Sequence, residues 1–266
     1  LYRNMLVLDF KSLYPSIMRT FLIDPVGYVK TPESEPDSAS LIKAPSGAAF
    51  RRAPGILPRL LDDLFPRREQ AKREGDQVKS HAIKILMNSC YGVLGTPACR
   101  FYNADIANAI TSFGRELLLW SKARIESYGH PVRYGDTDSL FVESGTADQA
   151  HAREVGRSLV ARLNHDLAEY VAATWQVQSK LELAFDRLYL RLLLPRMRTG
   201  QGGARKRYAG LVQEGPSPTQ RVVFTGMEAV RSDWTELARQ VQRELYARLF
   251  TDQPVLDYLK QVGSDL

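Results

Sequence analysis

Two acidic residues flank a single threonine in the segment Tyr134–Ser139. The residues on either side have the apolar, β-branched and aromatic character of strands, which predicts a hairpin with its tight turn from Gly135 to Asp138. Asp136 and Asp138 would then crowd like charges at the tip, and crowded carboxylates are costly unless a cation lies between them. Mg²⁺ is the usual cation for such oxygen ligands. The alternative is a solvated turn without metal, because Asp favours turns in any case.

A third carboxylate lies near the amino terminus, where the apolar run Met5–Leu8 predicts a buried strand that ends on Asp9. Pro15 suits the first turn of the helix that follows, and Ser12 is expected to cap that helix. Backbone N–H groups at a helix start lack partners and attract phosphates. A carboxylate for a metal beside free amides for a phosphate is what nucleotidyl transfer needs. An ordinary helix start with a hydrogen-bonded Asp has the same pattern.

Four motifs follow one another in the order found in family B DNA polymerases, which the chain therefore resembles. Asp9–Ile17 is similar to the first palm motif of that family, and Lys84–Gly92 is similar to its fingers-helix motif. Tyr134–Ser139 matches the third motif, and Arg205–Gly210 resembles the basic Lys-Lys-Arg-Tyr element. The run Arg19–Gly27 further resembles the bacterial branch of the family. The motifs are specific, and the resemblance extends over nearly the whole chain.

The resemblance implies an α+β fold: a polymerase palm, in which helices pack on an antiparallel sheet, with an inserted helical hairpin that forms the fingers subdomain. Strands and helices segregated along the chain agree with that class. The expected divisions are palm at 1–54 with a loop insertion at 31–54, fingers at 55–100, palm again at 101–225, and the start of a thumb at 226–266. The exonuclease and amino-terminal domains of the family are expected to lie outside this chain, which would make it a palm-and-fingers fragment.

Hydrophobic periodicity supplies element bounds that do not depend on the resemblance. It predicts helices from about Leu57 to Glu74, Lys79 to Val93, Ala104 to Tyr128, and around Val155 to Val171. Strands are expected between Lys180 and Tyr189 and, as a pair, at Ala209–Val212 and Arg221–Phe224. Asp233 followed by Glu236 predicts the cap of a later amphipathic helix.

The reaction implied by the resemblance is template-directed DNA synthesis, in which a primer 3′-hydroxyl attacks the α-phosphate of a deoxynucleoside triphosphate and releases pyrophosphate. Two Mg²⁺ ions, or Mn²⁺ in their place, would support this displacement. Asp9 and Asp138 are the expected bridging ligands, with the Phe10 carbonyl as a further ligand and Asp136 as a weaker catalytic candidate. We therefore expect the Asp9 and Asp138 carboxylates to lie within a few ångströms of each other.

The resemblance also assigns substrate contacts. The residues expected to hold the nucleotide are Ser12, Leu13, Tyr14, Arg68, Lys72, Lys84, Asn88 and Tyr91. Tyr14 is expected to lie beneath the incoming sugar and exclude ribose, although a tyrosine at a helix start is often only a core aromatic. The residues expected to contact DNA are Arg205, Lys206, Arg207, Tyr208, Gly210 and Arg231. Lys and Arg on an exposed helix, with Glu69 as a local partner, are the simpler explanation for Arg68 and Lys72.

The implied partners are primer–template DNA and deoxynucleoside triphosphates, with a sliding clamp as a further partner through regions outside this chain. A rival hypothesis is a non-catalytic DNA-binding module that results from truncation. A protein-primed polymerase of the same family is a second rival, but nothing in the chain resembles the large insertions of those enzymes. One departure from the family concerns Ala184, which stands where many relatives have a second acidic residue two positions after the one that matches Glu182.

Composition agrees with a polyanionic partner: the net charge is +6 and the pI about 9.3. From Arg187 to Tyr208 there are seven basic residues and no acidic one. Such a run favours phosphate contact, although a solvated charged face is the common alternative. Cys90 and Cys99 lack metal-ligand spacing and are expected to be buried free thiols. No apolar run has the length of a membrane span, and no signal peptide is recognisable, so a cytoplasmic protein is expected. The resemblance to the bacterial branch implies that it is a bacterial one.

Overall fold

The structure is a computed structural model that describes residues 1–30, 40–53, 55–195, 206–213 and 219–264. The chain divides into two compact units. The first contains Leu1–Leu8, Ile125–Leu159 and Phe185–Leu266, and the second contains Asp9–Arg124 and Val160–Ala184. Much of the predicted loop insertion, 31–39 and 54, lies outside the described residues. The division into palm, fingers and thumb stays a prediction.

The strands form two sheets. In chain order they are β1 (Tyr2–Phe10), β2 (Tyr28–Val29), β3 (Ile42–Lys43), β4 (Ala49–Phe50), β5 (Val132–Asp136), β6 (Ser139–Glu143), β7 (Leu183–Leu193), β8 (Tyr208–Gln213) and β9 (Gln220–Thr225). Six of them make the large sheet in the order β5-β6-β1-β7-β8-β9, and the other three make a small sheet in the order β2-β4-β3. The pairs β5–β6, β7–β8 and β8–β9 are antiparallel, which agrees with the predicted α+β class.

Strand β1 lies between β6 and β7 within the large sheet. Residues Asn4 to Leu8 are all buried, with at most 5% of each exposed, so both faces of the strand are covered. A strand covered on both faces has a continuous apolar run instead of alternation, which is what Met5–Leu8 shows. The predicted strand is therefore confirmed, and it continues one residue beyond Asp9.

Seven α-helices are described: α1 (Leu13–Thr20), α2 (Ile56–Arg73), α3 (Gln77–Gly95), α4 (Ala104–Ser127), α5 (Gln149–Trp175), α6 (Glu236–Phe250) and α7 (Val255–Ser264). Helices α2 and α3 pack against each other and are joined by only three residues, Glu74–Asp76. The side chain of Asp76 caps α3 by accepting a hydrogen bond from the Lys79 N–H at 2.9 Å. The predicted helical hairpin is present, with each bound within two residues of the prediction.

The second unit has an aromatic core around α1 and α4. Phe21 stacks on Phe113 with ring centroids 3.8 Å apart, and Trp175 packs edge-on against both rings. Phe21 and Phe113 are fully buried, as is Ile17 on α1. Such aromatic contacts add stability beyond the area that they bury, so α1 is held firmly where it follows β1.

Two local predictions need correction. Asp233 does not cap α6; Thr235 does, by accepting a hydrogen bond from the Ala238 N–H, while Asp233 pairs with Arg231. Cys90 is a buried free thiol as predicted, whereas Cys99 is only half-buried.

Among the described residues, no helix is both long enough and apolar enough to span a bilayer.

Candidate functional site

The carboxylate hairpin is tighter than the sequence indicated. Asp136 closes β5 opposite Ser139, so that Gly135 belongs to the strand and the turn consists of Thr137 and Asp138 alone. The Asp138 N–H donates to the Asp136 carbonyl at 2.5 Å, and Thr137 adopts a left-handed φ of 53°. This backbone strain fixes both carboxylates at the extreme tip of the hairpin.

Lys206 lies beside this tip, within the same unit. Its ammonium is 2.9 Å from Asp136 Oδ1, and its backbone N–H donates to the Tyr134 hydroxyl at 2.8 Å. The hydrogen bond that Lys206 donates to Asp136, together with the attraction of the Asp136 charge, raises the pKa of Lys206. The third and fourth motifs therefore meet, although about seventy residues separate them in sequence. The sequence predicted a DNA contact for Lys206 but gave no indication of its ion pair with Asp136.

An aromatic cluster beneath the tip holds both segments. Tyr134 packs edge-on against Phe141 and Tyr208, and Tyr189 also belongs to the cluster. Burial raises the pKa of Tyr189 to about 12. A Cβ on Gly210 would lie 2.2 Å from the Tyr189 ring, and Gly210 is itself buried. The close packing against Tyr189 therefore explains why residue 210 is a glycine, whereas the sequence predicted that Gly210 contacts DNA.

The junction of β1 and α1 carries Asp9 in a half-buried position. Ser12 occupies the N-cap position as predicted, but its side chain makes no cap hydrogen bond and its φ is 50°. The Ser12 hydroxyl instead accepts a hydrogen bond from Arg68 Nη1 at 3.1 Å. The Nε atom of Arg68 is buried and has no hydrogen-bond partner. The predicted side-chain cap is therefore wrong, and the hydrogen bond between Ser12 and Arg68 is one that the sequence did not predict.

The helical hairpin presents the other predicted nucleotide contacts. Lys84 and Asn88 are exposed on α3, one turn apart. Tyr91, one further turn along, is half-buried, and its ring centroid lies 4.5 Å from that of Tyr14. Lys72 pairs with Glu69 on the same helix at 2.6 Å. This is the local ion pair that the simpler explanation of Lys72 predicted. The Lys72 hydrogen bond lowers the pKa of Glu69 despite the opposing effect of burial.

Glu182 forms an ion pair with Lys11 at 2.5 Å, and the Lys11 N–H donates to the Glu182 carbonyl at 2.8 Å. Lys11 lies inside the first motif, two residues after Asp9, but sequence analysis gave it no role. The Glu182 carboxylate is half-exposed, with 58% of its side chain accessible. Ala184, two residues further along, has no side-chain oxygen that could serve as a ligand.

The basic run from Arg187 to Tyr208 has carboxylate partners that sequence spacing did not reveal. Arg187 pairs with Asp186, and Arg191 forms a two-pronged pair with Asp252, 61 residues away. Arg196, Arg198 and Arg205 lie outside the described residues, so the DNA contact predicted for Arg205 has no structural description. Arg231, a further predicted DNA contact, pairs with Asp233. The four described cations of the run, Arg187, Arg191, Lys206 and Arg207, each meet a carboxylate.

Arg207 belongs to a network that joins β8 to α6. Its guanidinium pairs with Glu228, whose other oxygen accepts a hydrogen bond from Gln242 Nε2 at 2.8 Å. Gln242 also accepts from the Ala229 N–H at 2.5 Å. Burial alone would raise the pKa of Glu228, but the hydrogen bonds from Gln242 and Arg207 outweigh it and lower that pKa to about 2. Sequence spacing gave no indication that Glu228 is the partner of Arg207, because 21 residues separate them.

The depressed pKa of Glu228 makes a testable contribution to stability. A carboxyl group whose pKa falls from its ordinary 4.5 to about 2 on folding stabilises the protein above pH 4.5, and this contribution is lost as the pH falls towards 2. We expect Glu228→Gln to lower the free energy of unfolding by about 2 kcal/mol at pH 7. Urea midpoints at pH 7, 5, 4 and 3 should show the gap between variant and parent narrowing below pH 4.5. A gap that stays constant would contradict this role, and Glu154→Gln, an exposed carboxylate on α5, is the control.

A separate cluster on α5 contains His165, Asp166 and Glu169, with potential ligand atoms within 4.8 Å of one another. Asp166 is already paired with Arg124 at 2.5 Å, and His165 and Glu169 are exposed. Three neighbours on one helix face commonly associate without a metal. The cluster is therefore better explained by the His165–Glu169 and Arg124–Asp166 pairs than by an ion.

Comparison with known proteins identifies relatives of one kind. The family model described as DNA polymerase family B matches residues 1–266. DNA polymerase II of Escherichia coli is 45% identical over 98% of this chain and 33% of its own length, which confirms the resemblance of Arg19–Gly27 to the bacterial branch. A DNA polymerase of Archaeoglobus fulgidus is 32% identical over 92% of this chain and 29% of its own length. The family B DNA polymerase of Pyrobaculum calidifontis matches in structure with a TM-score of 0.65 and 29% identity, over 99% of this chain and 31% of that one. The chain spans about a third of the length of these proteins.

Proposed function

The chain belongs to DNA polymerase family B, and on that premise we propose that it carries the polymerase centre of a replication and repair polymerase. The proposed reaction is template-directed transfer of a deoxynucleotide to a primer 3′-hydroxyl with release of pyrophosphate. The supporting observation is the meeting of the third and fourth motifs: Lys206 contacts both Tyr134 and Asp136 at the tip of the carboxylate hairpin. A cation suited to the phosphates of a primer and carboxylates suited to a metal thereby lie side by side at the hairpin tip.

Mg²⁺ is the cofactor that fits the residues present. Asp9, Asp138 and the Phe10 carbonyl offer only oxygen donors, which Mg²⁺ prefers, and each lies at the end of a strand or in a strained turn. We propose that Asp9 and Asp138 each hold Mg²⁺, two ions in all. When bound, the ions would neutralise negative charge on the phosphate oxygens. Asp136, already paired with Lys206, is the weaker ligand and acts through that pair.

The nucleotide would be held by the second unit. Arg68 donates a hydrogen bond to the Ser12 hydroxyl, which orients its guanidinium, a group suited to binding phosphate oxygens. Lys84 and Asn88 lie exposed on one face of α3. The backbone N–H groups of Ser12 and Leu13 add donors at the start of α1. Lys72 would leave Glu69 to take part, since an exposed pair of this kind contributes little stability.

The primer–template would be held on the first unit by Lys206, Tyr208 and Arg231, with Arg205 as a further proposed contact. Arg207 has a different role, because Glu228 and Gln242 hold it in a half-buried network. We assign it to fixing the segment before β8, which carries Lys206. A sliding clamp as partner and a bacterial cytoplasmic location stay predictions.

Primer extension by this chain tests the proposal. A labelled primer annealed to a longer template, with Mg²⁺ and deoxynucleotides, should gain nucleotides in the order that the template dictates. A dideoxy-terminated primer and a chelator in place of Mg²⁺ are the controls. Binding of primer–template without any extension would instead support the rival hypothesis of a non-catalytic DNA-binding module.

A further inference from the structure

Asp24 is a buried acidic residue to which the reaction assigns no role. Only 1% of it is exposed, and its two carboxyl oxygens have different partners. Oδ1 accepts a hydrogen bond from the Val26 N–H at 2.8 Å, within its own turn. Oδ2 accepts from the Leu57 N–H at 2.7 Å, in the first turn of α2. One side chain therefore joins the turn after α1 to the start of a helix 33 residues away.

Helix α2 has no cap of its own. Gly55 stands at its N-cap position without a side chain, and the first turn contains no acidic residue. The first N–H groups of a helix need acceptors, and a side chain at the N-cap normally supplies one. Here Asp24 supplies it from outside. A Cβ on Gly55 would lie 2.4 Å from Asp24 Cγ, so the absence of a side chain at Gly55 is what admits the carboxyl group.

The start of α2 is thereby fixed relative to residues that precede the helix hairpin. The Gly27 N–H donates to the Asp24 carbonyl, and the Arg51 N–H donates to the Gly27 carbonyl at 2.9 Å, so the turn is itself tied to its surroundings. Two turns further along α2, Asp62 pairs with both Arg19 and Lys180. These two attachments hold the part of α2 that precedes Pro66.

Arg68 follows Pro66 on the same helix, eleven residues after Leu57 and about 16 Å further along the axis. Its guanidinium must meet Ser12, to whose hydroxyl it donates at 3.1 Å. A proline inside a helix removes one backbone hydrogen bond and favours a kink. The position of the segment that carries Arg68 therefore depends on how firmly the turns before Pro66 are held. A shift of the first turn would move the guanidinium away from Ser12.

We propose that Asp24 is a positioning residue that sets α2 along its axis, so that Arg68 meets the triphosphate of the incoming nucleotide. This inference rests on the proposed function. The positioning role differs from that of a purely structural helix cap, because positioning requires both the connection of Asp24 to the 24–27 turn and its hydrogen bond to Leu57. A cap supplied within α2 would replace the hydrogen bond to Leu57 but not the connection to the turn.

The test measures the dissociation constant of a fluorescent deoxynucleoside triphosphate with Mg²⁺, the affinity for primer–template DNA, and the thermal midpoint. We expect Asp24→Ala to weaken nucleotide binding about 10-fold, with DNA affinity changed less than 2-fold and a midpoint lower by about 3 °C. Asp63→Asn, an exposed carboxylate on the same helix whose partner is Arg67, should change none of the three. Equal nucleotide affinity in Asp24→Ala and the parent would overturn the inference.

A double variant separates positioning from capping. Ile56 is 68% exposed in the first turn of α2, so Ile56→Glu supplies a negative charge there without touching the 24–27 turn. In the Asp24→Ala background it should restore the midpoint but leave nucleotide binding weak. Recovery of both would reduce Asp24 to a structural cap and overturn the positioning role. If the parent binds no deoxynucleoside triphosphate and extends no primer, the proposed function fails and this inference fails with it.

Discussion

Replacing Asp138 by alanine should lower the rate of primer extension by about 1,000-fold or more. The carboxylate stands in the two-residue turn at the hairpin tip, and it is one of the two carboxylates proposed to hold the metals. Losing one preorganised element of charge stabilisation in a phosphoryl or acyl transfer centre commonly costs two to three orders of magnitude. Single-turnover extension with saturating nucleotide and DNA is the measurement.

Asp136→Ala is the graded control, because it removes a carboxylate two residues away that is already paired with Lys206. We expect it to slow extension by about 10- to 100-fold, mainly through the lost orientation of Lys206. DNA affinity should change little in Asp138→Ala, and Mn²⁺ binding followed by electron paramagnetic resonance should lose at least one site. If the two variants are equally active, or if Asp138→Ala retains every Mn²⁺ site, the assignment of Asp138 to the metals is wrong.

Short-range sequence patterns predicted the helices and strands well where burial or turn chemistry alone determines them. The buried run Met5–Leu8, the carboxylate hairpin and the helices of the 56–95 region all follow from short-range patterning and turn chemistry. The hairpin was assigned too long a turn, because Gly135 was interpreted as a turn residue although its neighbours continue the strand. Motifs, not patterning, supplied the family and the candidate site residues.

Capping was the least predictable feature. Ser12, Asp233 and Glu236 all had suitable types and spacing, yet Ser12 is bonded to Arg68 and Asp233 to Arg231. A cap hydrogen bond contributes only about 1 kcal/mol, so a charged partner brought close by the fold readily displaces it. The cap of α2 comes from Asp24, which no local rule could have selected, because the donor and the acceptor are far apart in sequence.

The electrostatic partners of the basic run were unpredictable for the same reason. Arg191 and Asp252, or Arg207 and Glu228, are brought together only once β7, β8 and α6 have packed. The sequence alone therefore overstated how many cations in this run are available to phosphate. It correctly indicated which segments carry them, and Lys206 remains the one whose ammonium is largely exposed at the hairpin tip.

Tyr14→Ala should raise the use of ribonucleotides relative to deoxyribonucleotides by about 100-fold. The Tyr14 ring is half-buried and packs against Tyr91 with centroids 4.5 Å apart, and α4 approaches closely at Gly114, where a Cβ would lie 3.5 Å from Tyr14 Cε1. The ring therefore has little freedom to move aside. Ribose and deoxyribose differ by one 2′-hydroxyl, and a rigid wall that overlaps that oxygen discriminates by about 10- to 200-fold. Competing single-nucleotide extensions with paired ribo- and deoxyribonucleotides give the ratio directly.

Two further variants separate a gate from a core aromatic. Tyr14→Phe keeps the ring and removes only the hydroxyl, so it should retain discrimination if the ring itself excludes the 2′-oxygen. Tyr102→Ala removes an exposed tyrosine outside the proposed contacts and should leave both substrates unchanged. In Tyr14→Ala, the rate with deoxynucleotides should fall far less than the rate with ribonucleotides rises. An equal loss with both substrates, together with a lowered thermal midpoint, would mean that Tyr14 is structural, because a residue needed only for packing has no means of distinguishing the two sugars.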